Sequence, residues 1–200
     1  MTGTVIFDIG GVLIDWDPRH LYRQLFDDEA EMEHFLATVC TVDWIAEVDE
    51  GASLAESTEA FAAEHPDYAA QIRAYCTRWP ETMGGAVEGT PDILRDLKQR
   101  GTPLYALANW GRESFDHAKA KFDFLQWFDG IVTSGEVGVR KPDRRIYKAL
   151  IERYAIAPRS AVFIDDVAAN VSAAKEMGMH GLLFTTPDLL CQELRQIDLL

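Results

Sequence analysis

Val5, Ile6 and Phe7 form an unbroken apolar run that stops at Asp8, and Gly10 and Gly11 follow before Val12 and Leu13 resume the pattern. A short β-rich run closed by a polar residue and glycine reads as a buried strand that delivers Asp8 to its C-terminal end. From position 16 to position 87 the rhythm is helical. Leu21, Leu25 and Phe26 mark one stripe, and Met32, Phe35, Leu36 and Val39 a second. Leu54, Phe61 and Ala62 mark a third, and Ile72, Tyr75 and Trp79 a fourth. The stripes predict a block of about four helices with no strand. Asp17 before Pro18 supplies its N-terminal cap, and Gly84, Gly85 and Gly89 close it.

Past Gly89 strands and helices alternate. The spacing predicts helices over 91–100, 112–122, 143–154, 167–177 and 187–196, with strands over 103–108, 130–133, 161–164 and 180–184. Strands alternating with helices of this length imply a parallel sheet covered on both faces. The expected fold is therefore α/β. Residues 1–15 and 88–200 would form a Rossmann-like parallel sheet flanked by helices, and residues 16–87 an inserted all-helical domain.

In such sheets ligands bind beyond the C-terminal strand ends, and polar residues gather there. Asn109 follows Leu-Tyr-Ala-Leu-Ala, and Asp165 and Asp166 follow Val-Phe-Ile. Lys141 arrives after the third strand, through a connection containing Gly135 and Gly138. With Asp8 this gives a site of three carboxylates, one lysine and one amide. Converging carboxylates suit a hard cation such as Mg²⁺, which keeps water and phosphate oxygens as its other ligands. A lysine beside them would neutralise a phosphate and keep Asp8 ionised as a nucleophile. The pattern is that of phosphoryl transfer.

Charge narrows the partners. The chain has 200 residues, of which 19 are Lys or Arg and 33 Asp or Glu, a net charge of −14. That balance argues against nucleic acid and against an anionic membrane surface, and it is compatible with a small phosphorylated metabolite. Cys40, Cys76 and Cys191 are odd in number and show no metal spacing, as expected of reduced thiols in a cytoplasmic protein. No long apolar segment opens the sequence. A monomer and a homodimer fit it equally.

Four motifs in order give these residues a family likeness: Phe7-Asp8-Ile9-Gly10-Gly11-Val12, Leu107-Ala108-Asn109, Arg140-Lys141-Pro142, and Phe163-Ile164-Asp165-Asp166 running on to Asn170. They resemble the haloacid dehalogenase (HAD) superfamily of aspartate-nucleophile hydrolases, in the subgroup whose helical cap lies between the first two motifs. The opening through Asp15 is similar to the bacterial group that includes α-D-glucose-1-phosphate phosphatase. The resemblance implies that Asp8 becomes an aspartyl-phosphate. Mg²⁺ would be held by Asp8, the Gly10 carbonyl and Asp166, with Asp165 beside it directly or in the outer shell. Lys141 would clamp phosphate and nucleophile, Asn109 would help hold the phosphoryl group, and Asn170 would orient a metal ligand or Lys141.

Two positions depart from that family. Gly10 stands where most phosphatases carry a second aspartate that protonates the leaving group. Its absence favours anomeric sugar phosphates or acyl phosphates, or a substitute acid at Asp15, Asp17 or His20. Ala108 replaces the usual Ser or Thr whose hydroxyl binds phosphate. Trp110 either covers the substrate or packs. Trp16, Trp44 and Trp79 read as core or cap–core contacts, and Arg19 and Arg78 as surface residues usable by a substrate. Three functions stay open: an Mg²⁺-dependent phosphatase of sugar-phosphate type, a metal-free 2-haloacid dehalogenase using Asp8 on carbon, and a binding protein that retains the fold with little or no turnover.

Overall fold

The computed structural model describes residues 3–49 and 53–200. Five strands form one parallel sheet: β1 (Thr4–Phe7), β4 (Leu104–Ala108), β5 (Gly130–Thr133), β6 (Ala161–Asp165) and β7 (His180–Leu183), in the spatial order β5-β4-β1-β6-β7. Strands β2 (Ile14–Trp16) and β3 (Met83–Ala86) pair antiparallel as a separate ribbon. Helices α1 (Arg19–Tyr22), α2 (Glu29–Thr38), α3 (Val42–Asp49), α4 (Leu54–Glu64) and α5 (Ala69–Thr77) lie between the two ribbon strands in sequence. The sheet strands alternate with α6 (Thr90–Gln99), α7 (Arg112–Lys121), α8 (Ser134–Val137), α9 (Arg144–Tyr154), α10 (Ala168–Glu176) and α11 (Pro187–Gln196).

The strand pattern explains the layers. Side chains alternate across a strand with period two, so Val5 and Phe7 face one way and Ile6 the other. Val5, Phe7, Leu104, Ala106, Val162 and Ile164 enter one apolar core, and Ile6, Leu107 and Phe163 enter a second with Ile146, Tyr147 and Leu150 of α9. Burial on both faces is why these strands read as continuous apolar runs. The first core continues without interruption into the helical block through Tyr22, Phe35, Trp44 and Tyr75. There Phe35 packs its ring 4.9 Å from Tyr22 and 5.2 Å from Tyr68, measured between centroids. Aromatic pairs of this kind add about 0.5–1.5 kcal/mol beyond area burial. Asp28 and Asp143 accept hydrogen bonds from Ala30 N and Arg145 N at the starts of α2 and α9, each cap worth about 1 kcal/mol. Asp17 does the same for Arg19 N at 2.8 Å, in the position its place before Pro18 suggests.

Both ribbon strands, α3 and α8 differ from the expectation. The run Met83-Gly84-Gly85-Ala86 is a strand, where the glycines suggested only a stop, because Ile14–Trp16 supplies its hydrogen bonds from far along the chain. At Gly84 a Cβ would displace the Asp15 carboxylate and the tip of the His20 ring. Helix α3 falls between the second and third apolar stripes, where the sequence pattern predicts no helix. Helix α8 is a single turn inside the connection that precedes Lys141.

No helix of the described residues is long and apolar enough to cross a membrane. Cys40 is buried, its Sγ 3.3 Å from the Tyr22 hydroxyl, and burial pushes its thiol up to about 12. Native protein treated with a thiol alkylating reagent near pH 8 is therefore expected to label Cys191 before Cys40, with Cys40 modified only on unfolding. Peptide mass mapping checks this, and equal labelling of the two would contradict the packing around Tyr22.

Candidate active site

The sheet brings the four predicted strand ends to one edge. Strands β4 and β5 lie to one side of β1, and β6 and β7 to the other, so the chain reverses its direction of winding between β1 and β6. Such a switch point opens a crevice outside the strand ends. Phe7 is in register with Ile164, and Asp8 N donates to Ile164 O at 2.8 Å, which places Asp8 and Asp165 side by side. Lys141 reaches between them, with Nζ 2.8 Å from Asp8 Oδ1 and 2.7 Å from Asp165 Oδ2. Its side chain is 1% exposed.

The neighbours fix this arrangement. Asn109 accepts from Lys141 N at 2.7 Å through Oδ1 and donates to Lys141 O at 3.0 Å through Nδ2. Its amide thus grips the backbone of Lys141, leaving a single amide proton for anything else. Asn170 donates to both Asp165 oxygens, at 3.0 and 3.2 Å, and Val167 N donates to Oδ1 at 2.9 Å. Ile9 N donates to Asp8 Oδ1 at 2.7 Å. The contacts from Lys141 and from Ile9 N both fall on Asp8 Oδ1.

The charges are unbalanced. Burial, offset in part by Lys141 and reinforced by Asp165, pushes the Asp8 carboxyl well above the ordinary range. Burial also disfavours the Lys141 ammonium, yet Asp8 and Asp165 together hold it above its usual value. Burial and then Asp165 push Asp166 upward. One oxygen from each of Asp8, Asp165 and Asp166 lies within 4.8 Å of the others, close enough to share one cation. Asp165 already meets Lys141, Asn170 and Val167 N, so Asp8 and Asp166 are the freer pair for direct coordination. An oxygen-only donor set with excess negative charge fits Mg²⁺ or another hard dication. Gly11, at φ +75°, leaves room for this: a Cβ there would collide with the Asp166 carboxylate.

Above the carboxylates lies a cavity of about 340 Å³ lined by Asp8, Gly10, Asn109, Lys141, Asp166 and Asn170 at its floor. Trp110 lines it too, buried, with its ring centroid 5.6 Å from that of Trp79. Trp16 and Trp79, read as packing residues, are also lining residues, whereas Trp44 stacks on Phe61. Sequence reasoning missed Val42 and Ile45 because α3 was not seen, and counted Tyr75 only as core. It also left Arg140 without a role, although its place beside Lys141 was a signal. Ala108 is wholly buried in β4.

The suggested acids are elsewhere. His20 Nε2 pairs with Asp15 Oδ2 at 3.0 Å, Asp17 caps α1, and none of the three lines the cavity. Arg19 is held by Glu33 and Arg78 by Glu81.

Known proteins share this plan. A sesquiterpene phosphatase, astK, of Aspergillus oryzae (strain ATCC 42149 / RIB 40) is 27% identical over 202 residues, spanning 96% of this chain and 94% of the relative. A validoxylamine A 7'-phosphate phosphatase of Streptomyces hygroscopicus subsp. limoneus is 27% identical over 67% of this chain and 63% of its own. Other relatives are far longer, the match spanning 20%, 19% and 10% of them. A HAD family enzyme of Bacteroides thetaiotaomicron, crystallised with magnesium and inorganic phosphate, has the same fold, with a TM-score of 0.71 at 23% identity over 93% of this chain and 96% of that one. The sequence model of the haloacid dehalogenase-like hydrolases matches residues 2–178, a span that holds every strand end described above except that of β7. On that span, this chain belongs to the haloacid dehalogenase-like hydrolase family.

Proposed function

We propose that this hydrolase is an Mg²⁺-dependent phosphomonoesterase that passes the phosphoryl group of a small metabolite through Asp8. The observation that carries the reading is the buried Lys141 held between Asp8 and Asp165, with the third carboxylate of Asp166 beside them. Two relatives named as phosphatases and a neighbour crystallised with magnesium and phosphate support it. Asp8, Asp166 and the Gly10 carbonyl would hold the ion, with Asp165 behind them. Bound there, it supplies charge neutralisation for the phosphate oxygens.

The chain's own groups perform the rest. Asp8 attacks phosphorus through Oδ2, a new P–O bond forms as the ester P–O bond breaks, and the departing oxygen takes its proton from water. Lys141 stays charged against the phosphate, while Asn109 holds its backbone and Asn170 holds Asp165. Water then attacks phosphorus, the bond to Asp8 breaks, and inorganic phosphate leaves. Helices α1–α5 would act as a cap that excludes bulk water during these steps. Dehalogenation fits less well, because three carboxylates against one lysine repel a carboxylate substrate.

Hydrolysis of a phosphate ester panel, with Mg²⁺ and after chelation, tests the reading. Turnover that vanishes with EDTA and returns with Mg²⁺ is expected. Silence across the panel in folded protein would favour a binding protein, and chloride release from a 2-haloacid without metal would favour the dehalogenase.

The missing aspartate makes a separate prediction. Gly10 has an unstrained φ, and a Cβ there would sit 3.8 Å from Trp110 and 3.9 Å from Trp16, ordinary contacts. Gly10→Asp is expected to speed esters with poor leaving groups about tenfold to a hundredfold, within the usual reach of general acid catalysis. Aryl phosphates, whose leaving groups need less help, should gain little. An equal effect on both classes, read from initial rates, would remove the leaving-group argument and with it the case for anomeric or acyl phosphates.

A further inference from the structure

The roof of the cavity is of a different chemistry from its floor. Trp16, Val42, Ile45, Tyr75, Trp79 and Trp110 supply it, and none of them carries a charge at neutral pH. They come from β2, α3, α5, the turn after α5 and the loop after β4, so one apolar surface is assembled from five places. Val42 is 76% exposed, an apolar side chain left in solvent at the mouth. Among the described lining residues the buried donor lacking a partner is the Trp110 indole N–H. The roof's polar atoms, this one and the Tyr75 hydroxyl among them, are few against the several hydroxyls of a sugar, while the charged Arg140 lines the cavity next in sequence to Lys141 of the floor. Desolvating hydroxyls under such a roof leaves each unmatched group destabilised, whereas apolar carbon gains from the same burial.

We infer that the substrate is a phosphate monoester of an apolar alcohol or phenol, its phosphate on the carboxylate–lysine floor and its carbon body under the Trp16–Val42–Ile45–Tyr75–Trp79–Trp110 roof. The inference rests on the phosphatase reading for the floor and on the lining for the body. A cavity of about 340 Å³ is at the small end of ligand pockets, so the body is of modest size. The sugar phosphates suggested by the missing aspartate share the need for a ready leaving group but not this lining. An apolar phenol satisfies both.

The test separates recognition from turnover. Binding of n-alkylphosphonates from methyl to hexyl, which cannot be hydrolysed, is measured by calorimetry with the wild-type protein and Mg²⁺. Affinity is expected to rise about fourfold per added methylene until the cavity is filled. Val42→Asp, at an exposed position that the fold tolerates, should weaken binding by a factor that grows with chain length. Affinity independent of chain length, tighter binding of the phosphonate analogue of glucose-1-phosphate than of hexylphosphonate, or no binding of any member would each overturn the inference. Chain-length dependence without turnover of 4-alkylphenyl phosphates would uphold it while sinking the phosphatase reading.

Discussion

Asp8→Asn is expected to abolish phosphate release, lowering kcat by about 10⁴-fold or more, with the fold intact. The amide has the shape of the carboxylate but no charge to place on phosphorus, and loss of a covalent nucleophile commonly has effects of that size. Stability should not fall, because the substitution removes one of three crowded acids while Lys141 keeps Asp165 at 2.7 Å. Initial rates with Mg²⁺ give the first readout. Acid quenching of the wild type during turnover gives the second: a phosphoryl adduct on the peptide containing Asp8, absent from the variant. A variant within tenfold of wild type would mean that water, and not Asp8, attacks phosphorus.

Lys141→Met is expected to damage both activity and stability. The ammonium is buried between two carboxylates, and methionine leaves them uncompensated in nearly the same volume. Breaking a buried pair from one side typically destabilises by about 3–5 kcal/mol, which for a chain of this size lowers Tm by roughly 6–20 °C. Thermal unfolding in EDTA should show the full effect, and Mg²⁺ should restore part of it by taking the place of the lost charge. Activity should fall by about a thousandfold, the upper range for loss of one preorganised charge-stabilising donor, since Lys141 is the cation paired with both Asp8 and Asp165. Lys141→Arg is not a rescue, because a planar guanidinium does not fit a pocket shaped for a point charge. A Tm within 2 °C of wild type would show that the carboxylates find another partner.

The sheet was legible because its strands are buried on both faces and end in chemistry. Val5–Phe7 into Asp8, Leu104–Ala108 into Asn109 and Ala161–Ile164 into Asp165 each pair an apolar run with a polar stop. The helices between them announced their ends through Asp143, Gly101 and Gly178. What escaped was made by long-range pairing. Met83–Ala86 has two glycines and no alternation, and only Ile14–Trp16 makes it a strand. The chain places Asn109 near the site, but that its amide would hold Lys141's backbone depends on two loops meeting 32 residues apart. The cavity roof was illegible for the same reason, since Trp16, Ile45 and Tyr75 belong to segments that no single periodicity connects.

The ribbon bears on how such a protein diversifies. Trp16 lies opposite Met83, so the chain leaves for the helical block and returns from it at neighbouring points. The intervening segment can therefore lengthen, shorten or be replaced while its two attachment points stay put. Asp8, Lys141, Asp165 and Asp166 all lie outside that segment in the sequence. Most of the roof, Trp110 excepted, can thus vary apart from the floor residues, provided that a replacement between Trp16 and Met83 still fills the core the segment shares with the sheet.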